Sequence, residues 1–157
     1  PFITPRASAG MKMRPLNHTT FRVRYSETDQ MGVVYYASYL AWFDACRTEL
    51  FINLGIRYKE LEEKGYFLPV IETHVRYLSP ARYDDQVVIA VEVAKITGAR
   101  VFFKYGVSRE GDRSVLVSGS TVHAMTDATG KPRRIPKEVR DALTKGMGLL
   151  QSPLPNR

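Results

Sequence analysis

Cysteine, histidine and long apolar runs are scarce in this sequence of 157 residues. It contains a single cysteine, Cys46, so no disulfide can form within the chain. A chain without disulfides is typical of a reducing compartment, and we expect a cytoplasmic protein. No apolar run approaches the roughly 20 residues that cross a bilayer, so no membrane span is predicted. The first 16 residues also lack the apolar core of a signal peptide.

Several motifs that carry familiar chemistries are missing too. The sequence has no Gly-x-Ser-x-Gly motif, which argues against the nucleophilic serine of an α/β-hydrolase. It has no glycine-rich loop of the P-loop or dinucleotide-binding type. Cys46 falls in an apolar helical pattern without an evident histidine partner, which argues against a cysteine nucleophile. The histidines His18, His74 and His123 lack metal-ligand spacing, so no metal site is predicted.

Negative charge is in deficit. The 23 lysines and arginines outnumber the 16 aspartates and glutamates and give a formal net charge of +7, with the excess near the two ends of the chain. Such an excess is compatible with nucleic-acid binding, or with capture of a small polyanion such as a nucleotide or coenzyme A. On charge alone, a solvated basic surface is the preferred interpretation, and the other two stay open.

What the sequence does contain fits one domain, because 157 residues can bury a core without disulfides or metals. Residues 1–17 are expected to form a flexible extension, within which Met11 and Met13 are both compatible with a natural start. Residues 18–148 are expected to form the folded domain. Residues 149–157 contain two prolines and are expected to form a flexible tail.

The apolar pattern changes its period along the chain. Alternation over Phe21–Glu27 predicts a strand, and three- and four-residue spacings over Val34–Leu54 predict a long, broadly apolar helix. Short turns between the later strand patterns indicate antiparallel neighbours. This order predicts an α+β fold, an antiparallel curved sheet wrapped around one long central helix, with an open edge that favours a dimer. The later elements are a short helix, four strands and a helix opened by Pro136: Tyr58–Lys64, Phe67–Leu78, Gln86–Ile96, Arg100–Ser108, Val115–Thr126.

Asp29 is the residue whose surroundings point most directly to chemistry. It follows the first strand pattern, Gly32 allows a tight turn three residues on, and an aromatic helix comes next. Two interpretations are open: the carboxylate caps the following turn or helix, or it is a catalytic acid. An acid beside backbone N–H groups at a helix start can attack a carbonyl carbon, or direct water at it, while the N–H groups bind the oxygen.

Two segments resemble the hot-dog-fold acyl-CoA thioesterases. The first is the run Tyr25-x-Glu27-Thr28-Asp29-x-x-Gly32-Val33-Val34-Tyr35, followed by Tyr39 and by Ala45-x-Arg47-Thr48-Glu49. The second is Pro80-Ala81-x-Tyr83-Asp84-Asp85. The types that they resemble are the 4-hydroxybenzoyl-CoA thioesterases and the bacterial thioesterases linked to the Tol-Pal system. The resemblance runs from about Phe21 to Lys137 and implies the hot-dog fold.

The resemblance implies a thioester hydrolase that needs no cofactor, since coenzyme A is part of its substrate. Asp29 matches the catalytic carboxylate, either as nucleophile or as general base for water. The backbone N–H of Tyr36, seven residues on, matches the group that polarises the thioester carbonyl. The Tol-Pal-linked branch often has histidine at this position, so the acyl group stays open. Four further residues are expected to contact the substrate: Gly32, Val33, Tyr39 and Trp42.

The resemblance also implies a use for the basic residues. In the 4-hydroxybenzoyl-CoA type, basic residues on the third strand and before the last helix hold the nucleotide of coenzyme A, and Arg100, Arg133 and Arg134 fall near those places. We therefore expect coenzyme A, and not nucleic acid, as the bound polyanion. The family implies a homodimer or homotetramer with sites between subunits.

Two other functions stay open. A hot-dog hydratase or dehydratase acts with a histidine together with a carboxylate, and no histidine lies near Asp29 in the sequence. A non-catalytic module that binds acyl-CoA or nucleic acid would keep the fold without turnover. Release of free thiol from acyl-CoA separates the hydrolase from both.

Overall fold

The computed structural model describes residues 17–150, so nearly all of the predicted extension and tail lies outside the described residues. Within this part of the chain the elements follow the predicted order, and one strand, β3, has the predicted bounds. The elements are β1 (His18–Arg22), α1 (Ser38–Asn53), α2 (Tyr58–Glu63), β2 (Val70–Tyr77), β3 (Gln86–Ile96), β4 (Arg100–Arg109), β5 (Val115–Ala124) and α3 (Lys137–Thr144).

Three described residues that fall in the predicted extension and tail contact the folded domain. Asn17 is buried, and its side-chain N–H₂ donates a hydrogen bond to the Val91 carbonyl at 2.8 Å. Leu149 packs against the hydrophobic core. The Leu150 N–H donates to Glu92 Oε2 at 3.1 Å. All three residues therefore contact residues of the predicted folded domain.

The five strands form one antiparallel sheet with the spatial order β1-β3-β4-β5-β2. Strands β3, β4 and β5 are consecutive in the chain and pair as neighbours through short turns. Strand β2 pairs with β5, so β1 and β2 are the two edges of the sheet. The antiparallel pairing predicted from the short turns is confirmed.

Helix α1 lies against one face of the sheet and supplies much of the core. Phe43 stacks on Tyr105 of β4 with ring centroids 4.4 Å apart. Gly119 of β5 lies directly beneath Phe43, because a Cβ at this position would come within 2.5 Å of the ring. A curved sheet around one long helix is the predicted hot-dog arrangement, which is confirmed. The buried apolar side chains of α1 are Tyr39, Trp42, Phe43, Cys46, Leu50 and Phe51.

The predicted first strand was placed too far along the chain. Strand β1 ends at Arg22, which pairs with Gln86 at the start of β3, and Val23 adds a backbone hydrogen bond from its N–H to the Asp85 carbonyl at 2.9 Å before the chain turns away. Tyr25–Glu27 instead form a single 3₁₀ turn, in which the Glu27 carboxylate accepts the Arg24 N–H at 2.8 Å. Tyr25, which the alternation placed on the buried face, is 78% exposed. The alternation of apolar and polar residues therefore continues beyond Arg22, where the strand ends.

The long helix begins four residues later than predicted, at Ser38 instead of Val34. The Val34 N–H donates to the Ala81 carbonyl at 2.8 Å, and the Tyr35 N–H donates to the Glu27 carbonyl at 2.8 Å. These tertiary hydrogen bonds hold the backbone in an extended connection. The connection occupies the space between the 3₁₀ turn and α1.

Edge strand β2 is the most exposed strand of the sheet. Seven of its eight residues are exposed and Val75 is half-buried, although the strand pairs with β5 along its length. Its large apolar side chains Val70, Ile71 and Tyr77, with the adjacent Leu78, are 42–50% exposed. None of the helices in residues 17–150 is long and apolar enough to cross a membrane.

Candidate active site

Asp29 opens a short hairpin between the 3₁₀ turn and helix α1. Its N–H donates to the Val33 carbonyl at 2.9 Å, and the Gly32 N–H donates to the Asp29 carbonyl at 3.0 Å. Gly32 has a φ of 74°, a left-handed conformation that glycine adopts without a steric penalty. The tight turn predicted three residues after Asp29 is therefore present.

The Asp29 carboxylate has one oxygen engaged and the other open. Oδ1 accepts a hydrogen bond from the Met31 N–H at 2.9 Å, so the side chain caps its own turn. In the described part of the chain, Oδ2 has no hydrogen-bond or ion-pair partner. Turn capping does not exclude a chemical role, because the two functions would use different oxygens of one side chain.

The second of the two segments that resemble the thioesterases, Pro80 to Asp85, holds this hairpin in place. The carbonyl of Ala81 accepts the Val34 N–H at 2.8 Å, and the N–H of Ala81 donates to the Tyr39 hydroxyl at 3.2 Å. Val33 forms a β-bridge with Arg82. Ala81 is fully buried, so a larger side chain would push the hairpin away from α1. The two segments that carried the family resemblance are therefore in direct contact.

A cavity of about 270 Å³ lies beside the hairpin. It brings together four of the six residues predicted to act at the site, namely Asp29, Val33, Tyr36 and Tyr39. Its walls are mostly apolar, and it ends near the last residue of β2. Six further residues line it: Met31, Val34, Tyr77, Leu78, Ser79 and Pro80.

Tyr36 lies in the turn two residues before α1 begins. Its carbonyl accepts a hydrogen bond from the Tyr77 hydroxyl at 2.9 Å. Its own N–H donates no hydrogen bond to any residue between 17 and 150. An unpaired amide in front of a 16-residue helix can donate to an oxygen that carries negative charge, and the helix dipole favours that charge.

The other predicted substrate contacts divide between the cavity wall and its surroundings. Tyr39 lines the cavity, and burial raises the pKa of its hydroxyl above the ordinary value. Trp42 does not line the cavity: it is 3% exposed, lies edge-on to Tyr39 at 4.9 Å and donates its indole N–H to Glu27. Gly32 is exposed on the hairpin turn and does not line the cavity.

Tyr77 is a cavity residue that the sequence did not single out. Its ring lies edge-on to Tyr39 at 5.6 Å, while its hydroxyl donates to Tyr36. Desolvation raises the pKa of Tyr77 above an ordinary value that already lies far above neutral pH, and its protonated hydroxyl is the donor. One signal in the sequence could have indicated Tyr77. It lies just before the Pro80-Ala81 segment, which pairs with the Asp29 hairpin.

The three predicted arginines lie together at the other end of the sheet. The Met125 N–H donates to the Ala99 carbonyl and its carbonyl accepts the Arg133 N–H, so Arg100 and Arg133 lie on adjoining segments. Strand β4 runs from Arg100 to Arg109, a span of about 30 Å. Since Arg109 donates to Pro80, which lines the Asp29 cavity, Arg100 and Asp29 are far apart within one chain.

The predicted arginines also differ in how they are used. The Arg133 guanidinium lies over the Tyr66 ring at 3.8 Å and donates to the Gly65 carbonyl at 3.0 Å. Arg100 and Arg134 are exposed. Arg133 thus has a structural role in the chain, which leaves Arg100 and Arg134 as the more accessible cations.

Neither metal-binding clusters nor histidines mark the cavity. Among the described residues, no group of three or more His, Cys, Asp or Glu side chains could hold a metal ion. Among the residues that line the cavity there is no histidine. The polar side chains that do line the cavity are the Asp29 carboxylate and the hydroxyls of Ser79, Tyr36, Tyr39 and Tyr77.

Comparison with known proteins identifies the family. A family model described as the thioesterase-like superfamily matches residues 23–143. The acyl-CoA thioesterase YbgC of Haemophilus influenzae is 34% identical over 124 residues, which cover 77% of this chain and 89% of the relative.

Solved structures agree with this match. The hypothetical protein TT1821 from Thermus thermophilus is 34% identical and superposes with a TM-score of 0.76, covering 83% of this chain and 98% of that one. A DHNA-CoA thioesterase from Staphylococcus aureus is 30% identical and superposes with a TM-score of 0.77, covering 82% of this chain and 89% of that one. With the fold, the paired signature segments and these matches in agreement, the chain belongs to the thioesterase-like superfamily.

Proposed function

We propose that this protein is an acyl-CoA thioesterase in which Asp29 and the Tyr36 amide act on the thioester carbonyl. One observation carries this proposal: the cavity is lined by a carboxylate with an open oxygen and by a residue whose amide is unpaired among residues 17–150. The family relationship supports it, since the H. influenzae relative is named an acyl-CoA thioesterase. The S. aureus structure is named a DHNA-CoA thioesterase.

The chemistry follows from these two groups. As general base, Asp29 takes a proton from water while the water oxygen bonds to the carbonyl carbon, and the Tyr36 N–H stabilises the resulting oxyanion. Collapse of this intermediate breaks the C–S bond, and the thiolate of coenzyme A leaves and takes up the proton. As nucleophile, Asp29 itself bonds to the carbon and expels the thiolate, and water then hydrolyses the mixed anhydride.

The proposed enzyme is a dimer formed through β2. The strand is an edge of the sheet and carries exposed apolar side chains, which a second copy could cover by extending the sheet. Antiparallel pairing of two β2 strands brings the Tyr77 end of one chain beside the Val70 end of its partner.

This pairing would unite the two distant parts of the site. The Asp29 cavity lies at the Tyr77 end of β2, whereas Val70 pairs with His123 near the end of β5, which leads to the segment with Arg133 and Arg134. An open cavity of about 400 Å³, lined in part by Leu68, lies at this second end. An acyl group at Asp29 of one chain could therefore extend to a nucleotide held by the arginines of its partner.

The direct test is Asp29→Asn, which keeps the shape of the side chain and removes its basicity. We expect kcat for thiol release from acyl-CoA to fall by about 10²- to 10⁴-fold, the range for a positioned acid–base group. Asp112→Asn is the matched control, because Asp112 Oδ1 also accepts the N–H two residues on, from Ser114 at 2.9 Å, and lies outside the cavity. Near-normal turnover by folded Asp29→Asn protein would remove Asp29 from the mechanism.

A panel of acyl-CoA esters and an enoyl-CoA identifies the substrate and separates the remaining functions. Thiol release supports the hydrolase, and hydration of the enoyl-CoA without thiol release would instead support a hydratase. Salt-sensitive binding of nucleic acid without turnover would support a binding module.

A further inference from the structure

We propose that Glu27 is a positioning residue, which holds the Asp29 hairpin against the start of α1 and so fixes the spacing between the Asp29 carboxylate and the Tyr36 amide. This inference rests on the proposed function. Glu27 lies two residues before Asp29, at the end of the 3₁₀ turn. Its side chain is 16% exposed, an unusually low value for a glutamate.

Glu27 is bonded to the start of α1 through its backbone. Its carbonyl accepts the Tyr35 N–H at 2.8 Å and, at 3.4 Å, the Ser38 hydroxyl. The Tyr35 bond closes the loop that contains Asp29, and Tyr36 follows immediately. Asp29 lies inside this loop and Tyr36 lies one residue beyond it. Movement of Glu27 would therefore change the position of one relative to the other.

The carboxylate of Glu27 makes a second connection to the same helix. Oε1 accepts the indole N–H of Trp42 at 3.0 Å, one turn into α1, and Oε2 accepts the Arg24 N–H at 2.8 Å. The Arg24 guanidinium lies 3.6 Å from Oε1. Only a carboxylate offers acceptors in both directions to these donors, whereas a glutamine would turn its N–H₂ group toward one of them.

The same contacts separate Glu27 from the chemistry itself. Glu27 does not line the cavity, and both of its oxygens are occupied by donors from the protein. It is therefore not placed to take a proton from water. Its effect would instead pass through geometry, and misplacement of a reacting group by about 1 Å can cost about a hundredfold in rate.

The test compares Glu27→Gln with wild-type protein in steady-state thiol release. We expect kcat to fall by about 10- to 100-fold, while KM changes by less than about threefold and the pH at which kcat/KM falls on the acid side is unchanged. Trp42 is the single tryptophan of the sequence, so its fluorescence should shift when the hydrogen bond is lost. Glu60→Gln is the matched control, because Glu60 forms an exposed pair with Arg57 at the same three-residue spacing and should leave kcat unchanged.

A second variant tests the same contact if Glu27→Gln does not fold. Trp42→Phe keeps the carboxylate and removes one donor, so kcat should fall by about threefold to tenfold with KM nearly unchanged. In the double variant the losses should be less than multiplicative, since both single changes break the same contact. Wild-type kcat in folded Glu27→Gln, or in Trp42→Phe when Glu27→Gln does not fold, would overturn the positioning role.

The outcomes also separate this inference from the proposed function. An inactive Asp29→Asn with a wild-type Glu27→Gln would refute the positioning role alone. An active Asp29→Asn combined with loss of the acid-side pH dependence in Glu27→Gln would refute both, because Glu27 would then be the base.

Discussion

The Tyr77 hydroxyl donates a hydrogen bond to the Tyr36 carbonyl at 2.9 Å and so joins the last residue of β2 to the turn in front of α1. The two residues are 41 positions apart in the sequence. Because Tyr36 is the proposed source of the oxyanion-binding amide, its orientation depends in part on an edge strand of the sheet. A change in β2 can therefore reach the reacting group through a single contact.

Tyr77→Phe tests this dependence. The ring and its contact with Tyr39 remain, and only the hydroxyl that fixes Tyr36 is lost. We expect kcat for thiol release to fall by about twofold to tenfold with little change in KM, as for the loss of one hydrogen bond of about 1 kcal/mol. Tyr83→Phe is the control, since Tyr83 contacts Tyr25 outside the cavity. Equal effects in both variants would contradict the assignment.

Arg134→Ala should weaken binding of the nucleotide part of the substrate. We expect KM for acyl-CoA to rise by about threefold to tenfold with kcat nearly unchanged, and esters of pantetheine, which lack the nucleotide, to be unaffected. Arg113→Ala provides an exposed control in the β4–β5 turn. Equal effects of Arg134→Ala on both substrate types would reject the nucleotide role.

Mixed dimers test whether the site is shared between chains. A dimer of one Asp29→Asn chain and one Arg134→Ala chain contains one intact site if each site uses Asp29 of one chain and Arg134 of the other. About half of the wild-type kcat/KM should then return when the two variants are co-expressed and purified as the mixed species. No recovery above the Arg134→Ala dimer would mean that both residues act within one chain.

Gly119→Ala should destabilise the fold without touching the cavity. A Cβ at this position would lie 2.5 Å and 2.8 Å from two atoms of the Phe43 ring, which is itself stacked on Tyr105. We expect the free energy of unfolding to fall by about 1–3 kcal/mol in urea denaturation, the cost of overpacking a core. Gly98→Ala is the control, because a Cβ there would meet nothing within 4 Å. A neutral Gly119→Ala would mean that α1 can shift freely over the sheet.

Arg47 belongs to the first of the two segments that resemble the thioesterases. It begins a buried series of hydrogen bonds. It donates to the Tyr105 hydroxyl at 3.0 Å, which leaves that hydroxyl to donate to Thr121 Oγ1 at 2.9 Å. Thr121 can then donate to His123 Nε2 at 2.9 Å, and His123 Nδ1–H donates to the Leu68 carbonyl at 3.1 Å. This direction requires a neutral His123, and burial lowers the pKa of the imidazole from 6.5 to about 4.

The stability of the protein should therefore fall in acid. Since the unfolded chain binds a proton at His123 near pH 6.5 and the folded chain only near pH 4, the stabilisation is complete above pH 6.5 and is lost as the pH falls toward 4. The loss amounts to about 3 kcal/mol. Urea denaturation across this range should give a flatter profile for His123→Gln than for wild type. Burial also lowers the pKa of His18. Because both proteins contain His18, its contribution cancels when one profile is subtracted from the other.

Much of the fold could be predicted from the sequence because apolar periodicity is a local property. The bounds of β3 match, since Gln86–Ile96 is rich in valine and isoleucine and is followed by the turn residues Thr97 and Gly98. The start of α1 could not be predicted, because Val34 and Tyr35 are held by Ala81 and Glu27 and not by their own propensities. Apolar periodicity cannot predict where an element begins or ends when that point depends on a hydrogen bond to a residue distant in the sequence.

The candidate site was predictable only where its residues are close in sequence. Asp29, Val33, Tyr36 and Tyr39 lie within 11 residues and line one cavity. Tyr77 reaches the cavity through the sheet, and its exposed position on an edge strand gave no apolar pattern to read. The separation between Arg100 and Asp29 is likewise a property of strand order.

Strand β2 reverses the usual relation between exposure and tolerance to mutation. In one chain it is the least buried strand, and exposed residues are ordinarily free to vary. In the proposed dimer the same residues would serve subunit pairing, the Tyr36 contact and the junction between two half-sites. Substitutions that look harmless on the isolated subunit would then be among the most damaging to the assembled enzyme.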